Sequence, residues 1–370
     1  MARIKTGPVS DTKPNSKTRH TIHDIAEATG VSPKTVSFVL NNKEGVAEKT
    51  RRRVLKAVDE MHYRPHMGAR ALRDRVTRSI GVIFPATAKT APLSRNLLVW
   101  LYDELISIFG SRGYYVTFDM AMQLEGNGNN GDYARGVWEQ AFGPCFLAGP
   151  LALDDTVVRR LHERDIPYLA VTRLESFPEC SAASVDYEQA AYLSATYLID
   201  KGHTRIGLLK AFEGYQSGLE RRRGYERALR EAGLPIDESL IRPVTFDTHT
   251  IVNDVHGLLR HHDITALIDC SSTEDPTVLR EGARRAGRRL GEDIETVVWT
   301  YRYDTVVLPE ASAHICLPLR QAAAEGLEEL AVWVEGKRQG PIQILYPPTL
   351  VKTPTEQPIT ETLRVFHESG

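Results

Sequence analysis

Lysine and arginine side chains are concentrated at one end of the chain. Residues 1–78 contain 17 Lys and Arg against 8 Asp and Glu, a net charge of +9, whereas residues 79–370 contain 29 against 40, a net charge of −11. Clustered cationic side chains bind a phosphate backbone because they release its counterions. The N-terminal segment is therefore predicted to contact nucleic acid, and the acidic remainder to stay away from it.

Side chains for catalysis or metal binding form no recognisable set. His256, His261 and His262 have no carboxylate or cysteine at a spacing that completes a zinc site, and a solvated helix end is the simpler interpretation. The sequence contains no nucleophile elbow, phosphate loop or two-histidine helix motif. We expect neither catalysis nor a cofactor.

The cysteines and the apolar segments indicate the compartment. Four cysteines are far apart in the sequence, at Cys145, Cys180, Cys270 and Cys316. Their spacing predicts no disulfide framework and fits a reducing cytosol. No uncharged stretch is long enough to cross a membrane, and the N-terminus lacks a signal-peptide core. A cytoplasmic protein without membrane contact is expected.

Three helices must position the basic residues. Thr21 and Asp24 form a capping pattern ahead of an apolar stripe, and Gly30 ends this first helix. Ser32 is a good N-cap and Pro33 suits the first position of a second helix. Its apolar stripe is Val36, Val39 and Leu40, before an end at residues 41–42. The buried face of a third helix is predicted to contain Val54, Leu55, Val58 and Met61.

Two short helices joined by residues 30–32 place the second helix in position to enter a major groove, where base edges differ in their donors and acceptors. Lys34 lies on the first turn of that helix. We expect it to contact DNA; the alternative is an ordinary exposed lysine.

These residues carry a family resemblance. Residues 21–37, continued by 39–41, 46–50 and 63–65, resemble the opening signature of the lactose-repressor (LacI/GalR) family. The resemblance implies base contacts from Pro33, Lys34 and Phe38, and backbone-contacting or supporting positions for Thr21, Thr35, Ser37, Asn41 and Tyr63.

Phe38 departs from the polar residue, often arginine, that the family has at this position. A phenyl ring cannot donate two hydrogen bonds to guanine, so it either touches a thymine methyl group or packs inward. The operator sequence is therefore open.

Residues 66–73 resemble the family's hinge helix, which folds on DNA and inserts a leucine into the minor groove. Leu72 is the expected wedge, and His66 and Arg70 are expected to contact DNA. Gly68 weakens an isolated helix by roughly 0.5–1 kcal/mol relative to Ala, which fits a hinge that orders on binding. The alternative is that Leu72 packs on the third helix.

Strands alternate with helices beyond residue 78. Apolar runs predict strands at residues 79–84, 113–118, 145–148, 168–171, 205–209, 266–269 and 296–299, with helices that include 187–201 and 221–232. This alternation predicts a doubly wound parallel α/β architecture. A break near residues 176–183 predicts two lobes, and the Gly/Asn-rich segment 126–131 is expected to be a surface loop.

The fold class expected is α/β, with an N-terminal all-α helix-turn-helix domain and, by the resemblance, a two-lobed periplasmic-binding-protein-like domain. Five segments are predicted: a flexible basic arm at 1–20, the helix-turn-helix domain at 21–65, the hinge helix and linker at 66–78, the effector-binding and dimerisation domain at 79–355, and a tail at 356–370. The arm has a plainer alternative as a solvated tail.

The resemblance also indicates a ligand site. Residues 221–225 match the family's Arg-x-x-Gly-aromatic motif at the inter-lobe cleft, and residues 201–206 match its Gly-His turn. Arg221 is then the main ligand contact, because a guanidinium can hold hydroxyls, a carboxylate or a phosphate. The alternative is a salt bridge with Glu220 or with another carboxylate. Other positions placed at the cleft are Ser94, Arg95, Thr172, Arg173, Ser271, Trp299 and Thr300. Asp186 is expected to cap the helix behind the cleft.

The cleft departs from the family pattern at two places. Ser271 and Ser272 stand where Asn-Asp is usual, and residues 299–301 lack the Asp that normally follows an aromatic residue. An ordinary neutral sugar would miss those acceptors, so we expect an anionic metabolite held by Arg173 and Arg221, or a more aromatic molecule that suits Trp299 and Tyr301. A sugar stays open as the alternative.

The function that follows is an allosteric transcriptional repressor. A homodimer would place two recognition helices on a pseudo-palindromic double-stranded DNA operator, and a small-molecule effector would change DNA affinity by about 1–3 kcal/mol. Two alternatives stay open: a DNA-binding regulator with an eroded pocket and no effector, and a ligand-binding protein without DNA function.

Overall fold

The computed structural model describes residues 20–40, 43–63, 78–85, 95–119, 132–211, 214–244, 248–261, 263–271, 275–301 and 308–353. The chain divides into two compact units, residues 1–77 and 78–370. The predicted basic arm apart from His20, the hinge helix at 66–73, the loop at 126–131 and the C-terminal tail lie outside the described residues.

The first unit contains three helices, α1 (Ile22–Thr29), α2 (Pro33–Leu40) and α3 (Glu48–Glu60). Their apolar sides enclose a small core of Ile25, Ala26, Val36, Val39, Val54 and Tyr63. Thr21 and Asp24 form the expected capping box, and Gly30 ends α1 with a φ of 62°. The predicted first and second helices are thus confirmed.

The predicted buried face of α3 was wrong at one position. Val54 is buried, and Val58 and Met61 pack against the core at its edge, but Leu55 is 47% exposed. Positions 54, 58 and 61 follow the helical repeat, whereas position 55 lies about 100° further around the helix and so leaves the core side.

Two six-stranded sheets form the second unit. The first has the order β11-β5-β4-β3-β1-β2 and the second the order β12-β10-β9-β8-β6-β7. The strands of the first sheet are β1 (Ser79–Ile83), β2 (Tyr115–Asp119), β3 (Cys145–Leu147), β4 (Tyr168–Ala170), β5 (Ala182–Val185) and β11 (Gln343–Tyr346). Those of the second are β6 (Ile206–Ala211), β7 (Ile241–Val244), β8 (Ala266–Asp269), β9 (Glu295–Thr300), β10 (Ala313–Cys316) and β12 (Thr349–Lys352).

Helices cover both faces of these sheets. They are α4 (Arg95–Leu105), continued by a π-helical turn (Ile106–Gly110), α5 (Arg135–Trp138), α6 (Thr156–Glu163), α7 (Tyr187–Asp200), α8 (Gln216–Glu231), α9 (Thr248–Leu259), α10 (Pro276–Arg285) and α11 (Leu319–Val334). The strand pairs are parallel except that β12 runs antiparallel to β10. The predicted doubly wound α/β architecture is confirmed, with one antiparallel edge strand.

The lobe boundary predicted at residues 176–183 was wrong. β5 belongs to the first sheet, where Ala182 pairs with Ala170 of β4 and with Gln343 of β11. The chain passes to the second sheet only after Val185, returns after β10 and crosses again between β11 and β12. The short Ala-Ala-Ser-Val strand has no long apolar run, which is why its sequence resembles a break.

Two other predicted boundaries shift. β2 begins at Tyr115, because residues 111–113 form a turn. α8 begins at Gln216, so Arg221 lies in its second turn and does not start the helix.

Each lobe is a sheet between two apolar layers. One large cluster contains buried residues from both sheets, and separate clusters cover the outer face of the first sheet and the outer face of the second. Among the described helices, none has the length and apolarity needed to cross a lipid bilayer.

Candidate nucleic-acid interface and ligand cleft

Hydrogen bonds at both ends of the turn set the orientation of α2. The Gly30 N–H donates to the carbonyl of Glu27 at 3.2 Å, which closes α1. Ser32 Oγ accepts from the Thr35 N–H at 3.1 Å, which caps α2. Because Val36 and Val39 are buried, the opposite side of the helix must face outward.

Of the predicted DNA-contacting residues of α2, Lys34, Ser37 and Phe38 lie on this outward side, and Pro33 and Thr35 lie on its flanks. Lys34 is exposed, and Pro33, Thr35, Ser37 and Phe38 are half-buried. A helix that offers a lysine and hydroxyls from its first turns matches the way recognition helices meet base edges and phosphates.

Three further predicted positions differ in their surroundings. Thr21 is exposed at the start of α1. Tyr63 is only 9% exposed and belongs to the core of the unit, so it supports the helices. Asn41, His66, Arg70 and Leu72 lie outside the described residues.

The second candidate site lies where strands of both lobes end. Thr172 and Arg173 follow β4 in the first sheet, Ser271 follows β8, and Thr300 ends β9 in the second. The carboxyl ends of parallel strands form the crevice in which open α/β sheets bind ligands. Thr172, Ser271 and Thr300 are all buried there.

Arg221 is the central cation of this cleft. Its side chain is buried at 4% exposure, and its Cζ lies 4.3 Å from the ring centroid of Tyr187 and 5.2 Å from that of Trp299. One guanidinium nitrogen donates to the Ser217 carbonyl at 3.2 Å, whereas Nε is buried and has no hydrogen-bond partner among the described residues. An unpaired buried donor is costly, so the Nε–H group is suited to donate to a ligand oxygen.

Trp299 supports Arg221 from behind. Its side chain is 1% exposed, and its indole N–H donates to Ser194 Oγ at 3.0 Å. Trp299 is thus held beside Arg221 at the cleft, and its direct contact with a ligand stays a prediction.

Glu220 pairs with Arg173, not with Arg221. Arg173 Nε donates to Glu220 Oε1 at 2.9 Å, which joins the first lobe to the second. The alternative salt bridge between Arg221 and Glu220 was wrong. In the part of the chain that the structure describes, Glu220 Oε2 is buried and has no hydrogen-bond partner, and burial raises the pKa of this carboxyl group above its ordinary value.

Asp269 is an acceptor that the sequence analysis missed. It ends β8, is buried, and its Oδ1 accepts from the Ser271 N–H at 2.9 Å. Burial raises the pKa of its carboxyl group. The available signal in the sequence was a charged residue at the end of an apolar strand. The Asp269 carboxylate supplies an oxygen beside Ser271 and Ser272, where the family's Asn-Asp pair is absent.

A second ion pair also joins the lobes. Arg223 of α8 donates to Glu175 Oε2 at 2.7 Å, and the hydrogen bonds from Arg223 lower the pKa of Glu175. Together with the Arg173–Glu220 pair, this contact draws the loop after β4 onto α8.

Other predicted positions are settled only in part. Asp186 caps α7, as expected, by accepting from the Gln189 N–H at 2.8 Å. Arg95 begins α4, but its side chain, like Ser94, Ser272 and His262, is outside the described part of the chain. Within that part, no group of three or more His, Cys, Asp or Glu side chains could hold a metal ion.

Comparisons with known proteins agree with this geometry. Residues 21–66 match the model of bacterial regulatory proteins of the lacI family. Residues 145–314 match that of periplasmic binding proteins and the sugar binding domain of the LacI family.

Individual relatives and structures give the same result. The transcriptional repressor PurR of Vibrio atlanticus (strain LGP32) is 30% identical over 300 residues, which cover 78% of this chain and 83% of that protein. Catabolite control protein A of Priestia megaterium is 28% identical over 79% of this chain and 86% of that protein. The crystal structure of the lac repressor dimer bound to operator and the anti-inducer ONPF has a TM-score of 0.72 at 21% identity, and covers 90% of this chain and 98% of that one.

A helix-turn-helix unit followed by a two-sheet binding unit defines a DNA-binding transcriptional regulator with a ligand-binding domain. The chain belongs to the lacI family of bacterial regulatory proteins. Among its matched relatives are proteins named as an HTH-type transcriptional repressor and an HTH-type transcriptional regulator.

Proposed function

We propose that this protein is a homodimeric repressor in the cytoplasm that binds a pseudo-palindromic DNA operator and changes its affinity when a small molecule enters the inter-lobe cleft. The observation that carries this proposal is the outward side of α2, where Lys34 is exposed while Val36 and Val39 hold the helix on its core. The proposed role involves no catalysis and no cofactor.

The operator is bound by α2 and by the hinge segment in this proposal. Base contacts come from Pro33, Lys34 and Phe38. Backbone or supporting contacts come from Thr21, Thr35, Ser37, Asn41 and Tyr63, and the hinge contributes His66, Arg70 and Leu72. The lac repressor dimer crystallised with its operator supports this arrangement by analogy of fold.

The cleft favours a polyhydroxylated effector such as a sugar over a plain anion. Arg173 is already matched by Glu220, and buried Asp269 lies near enough to Arg221 for its pKa to be affected by the guanidinium. Both an orphaned donor, Arg221 Nε, and an orphaned acceptor, Glu220 Oε2, are present. A hydroxyl group can satisfy either one, because it both donates and accepts.

Dimerisation is proposed along the open edge of the first sheet. β2 is the edge strand and exposes Tyr115 and Phe118, which are 56% and 38% exposed, and the nearby helix exposes Tyr102 and Ile106 at 50% and 45%. Unpaired edge strands and exposed apolar residues are surfaces on which a second copy can pack.

One experiment tests both halves of the proposal. The full chain is used to select duplexes from a random pool at low and at physiological salt, and the recovered duplex is then titrated by fluorescence anisotropy with a panel of neutral mono- and disaccharides and sugar phosphates. We expect a recovered sequence with two inverted half-sites and a change of affinity with a neutral sugar. Recovery of no common sequence would contradict the DNA function.

A second candidate function is a regulator without an effector. The Arg173–Glu220 and Arg223–Glu175 pairs join the lobes through the protein's own side chains. In that case the selected duplex binds equally well whatever compound of the panel is added.

A further inference from the structure

We infer that Phe38 is a specificity-determining residue that selects a thymine methyl group in the major groove. The inference rests on the proposed DNA-binding function and specifies one base contact of the operator.

The phenyl ring lies outside the core of its own domain. The core of the first unit and the partly buried apolar residues packed against it are Ile22, Ile25, Ala26, Val31, Val36, Val39, Leu40, Val46, Val54, Ala57, Val58, Met61 and Tyr63. Phe38 is absent from this cluster and keeps part of its surface accessible. Among the described residues, the ring therefore lies beside this core and not within it.

Two lysines fix the place of the ring. The Nζ atoms of Lys34 and Lys43 each lie 5.7 Å from the Phe38 ring centroid, within cation–π range. Lys34 precedes Phe38 by one helical turn, so both project from the same side of α2. The ammonium groups beside the ring are attracted to the anionic phosphates of DNA, so the apolar ring is suited to approach the bases.

The ring also lines an open groove of about 350 Å³ between α2 and the start of α3. The other lining residues are Lys34, Thr35, Gly45, Val46, Ala47 and Thr50. Phe38 therefore forms, with Val46 and Ala47, an apolar surface at the side of the recognition helix.

The chemistry of base edges selects the partner of such a surface. A phenyl ring neither donates nor accepts a conventional hydrogen bond, so it gains nothing from the polar atoms of guanine, cytosine or adenine. The C5 methyl group of thymine is the apolar group exposed in the major groove. A contact between this methyl group and the ring removes both from water.

The test removes the methyl group alone. Each thymine of the selected duplex is replaced in turn by deoxyuridine, which keeps every hydrogen-bonding atom, and binding of the full chain is measured by anisotropy. We expect one position in each half-site to lose about fourfold in affinity, the factor for one buried methyl-sized group. Phe38→Ala should bind the thymine and uracil duplexes equally at that position.

Two further variants separate the contact from general effects on folding or affinity. Leu55→Ala removes another exposed apolar side chain of the same unit and should keep the full thymine-to-uracil ratio. Phe38→Arg should lose the methyl preference and, in a new selection, recover guanine at the same step.

Three outcomes would overturn the inference, and they are distinguishable. If no duplex is bound, the proposed function fails along with it. If the wild type binds a selected duplex but no single uracil weakens binding, the DNA function stands and the Phe38 contact is wrong. If Phe38→Ala keeps the same methyl dependence, another residue makes the contact.

Discussion

The guanidinium of Arg221 lies over the ring of Tyr187, 4.3 Å from its centroid. Tyr187 begins α7 and Arg221 lies in the second turn of α8, so the packing of these two helices places the cation. Trp299 stacks on Tyr187 at 6.3 Å with an interplanar angle of 10°, and its own ring centroid lies 5.2 Å from Arg221 Cζ. The aromatic pair thus holds a flat cation in a buried position.

Arg221→Lys should abolish the effector response while preserving DNA binding. Lysine retains the charge but loses the planar group that packs against the two aromatic rings and the N–H donor that a ligand would meet. A hydrogen bond from a charged group contributes roughly 1.5–3 kcal/mol. Its loss corresponds to roughly 10- to 100-fold weaker effector binding. The measurement is an anisotropy titration of the duplex complex with the active sugar.

Arg230→Lys is the matched control for that experiment. Arg230 is on the same helix, is 60% exposed and pairs only locally with Glu226 in the described contacts. The control should respond to the effector like the wild type. An equal loss in both variants would contradict the role assigned to Arg221.

Gly224→Ala should strongly destabilise the second unit. A Cβ atom at this position would lie 2.0 Å from the Glu188 carbonyl oxygen and 2.9 Å from the Ala191 Cβ, so α8 would have to move away from α7. Overpacking of this kind costs about 1–3 kcal/mol or more. Urea unfolding followed by tryptophan fluorescence measures it, because all four tryptophans lie beyond residue 78.

Gly257→Ala is the same substitution at another helical glycine, and it should raise the stability of the second unit. Gly257 lies in α9, and a Cβ atom there meets nothing within 4 Å. Alanine should stabilise the helix by roughly 0.5–1 kcal/mol. A similar loss of stability in both variants would show that the close contact of α7 and α8 is not the cause.

Local sequence patterns predicted the elements better than they predicted the cleft. The caps of α1 and α2 depend on neighbouring residues such as Thr21, Asp24 and Ser32, so their spacing suffices to identify them. The pairing of Arg173 with Glu220 joins residues 47 positions apart, and no spacing rule relates them. Burial of Trp299 likewise depends on α7 folding over β9, which an aromatic residue at a strand end does not reveal.

Glu220→Gln should become more stable relative to the wild type as the pH rises. Burial raises the folded-state pKa of Glu220 above its ordinary value of 4.5. Between the ordinary pKa and the raised pKa, folded chains hold a proton on Glu220 that unfolded chains have released. The contribution of Glu220 to stability is therefore fully present below the ordinary pKa, and it falls as the pH rises through the raised pKa. Glutamine does not titrate and removes this dependence.

The difference in unfolding free energy between Glu220→Gln and the wild type is measured at pH about 5 and at pH about 8, both above the ordinary value of the carboxyl group. Glu238→Gln serves as a control because its side chain is 65% exposed. A difference that stays constant for Glu220→Gln, or that shrinks at the higher pH, would contradict the assigned direction.

Lys34→Gln should weaken DNA binding and reduce its salt dependence. Each cation that neutralises a phosphate contributes about −0.9 to the slope of log K against log salt concentration, so loss of this contact should make the slope less steep by about 0.9.

Lys56 is the matched control, since it is also exposed but lies on α3 and pairs with Glu60 at 3.6 Å. Lys56→Gln should leave the slope closer to that of the wild type, because a surface pair with its own carboxylate already offsets its charge. Weaker binding with an unchanged slope would restrict the contact of Lys34 to base edges. An unchanged affinity and an unchanged slope would contradict any DNA contact by Lys34.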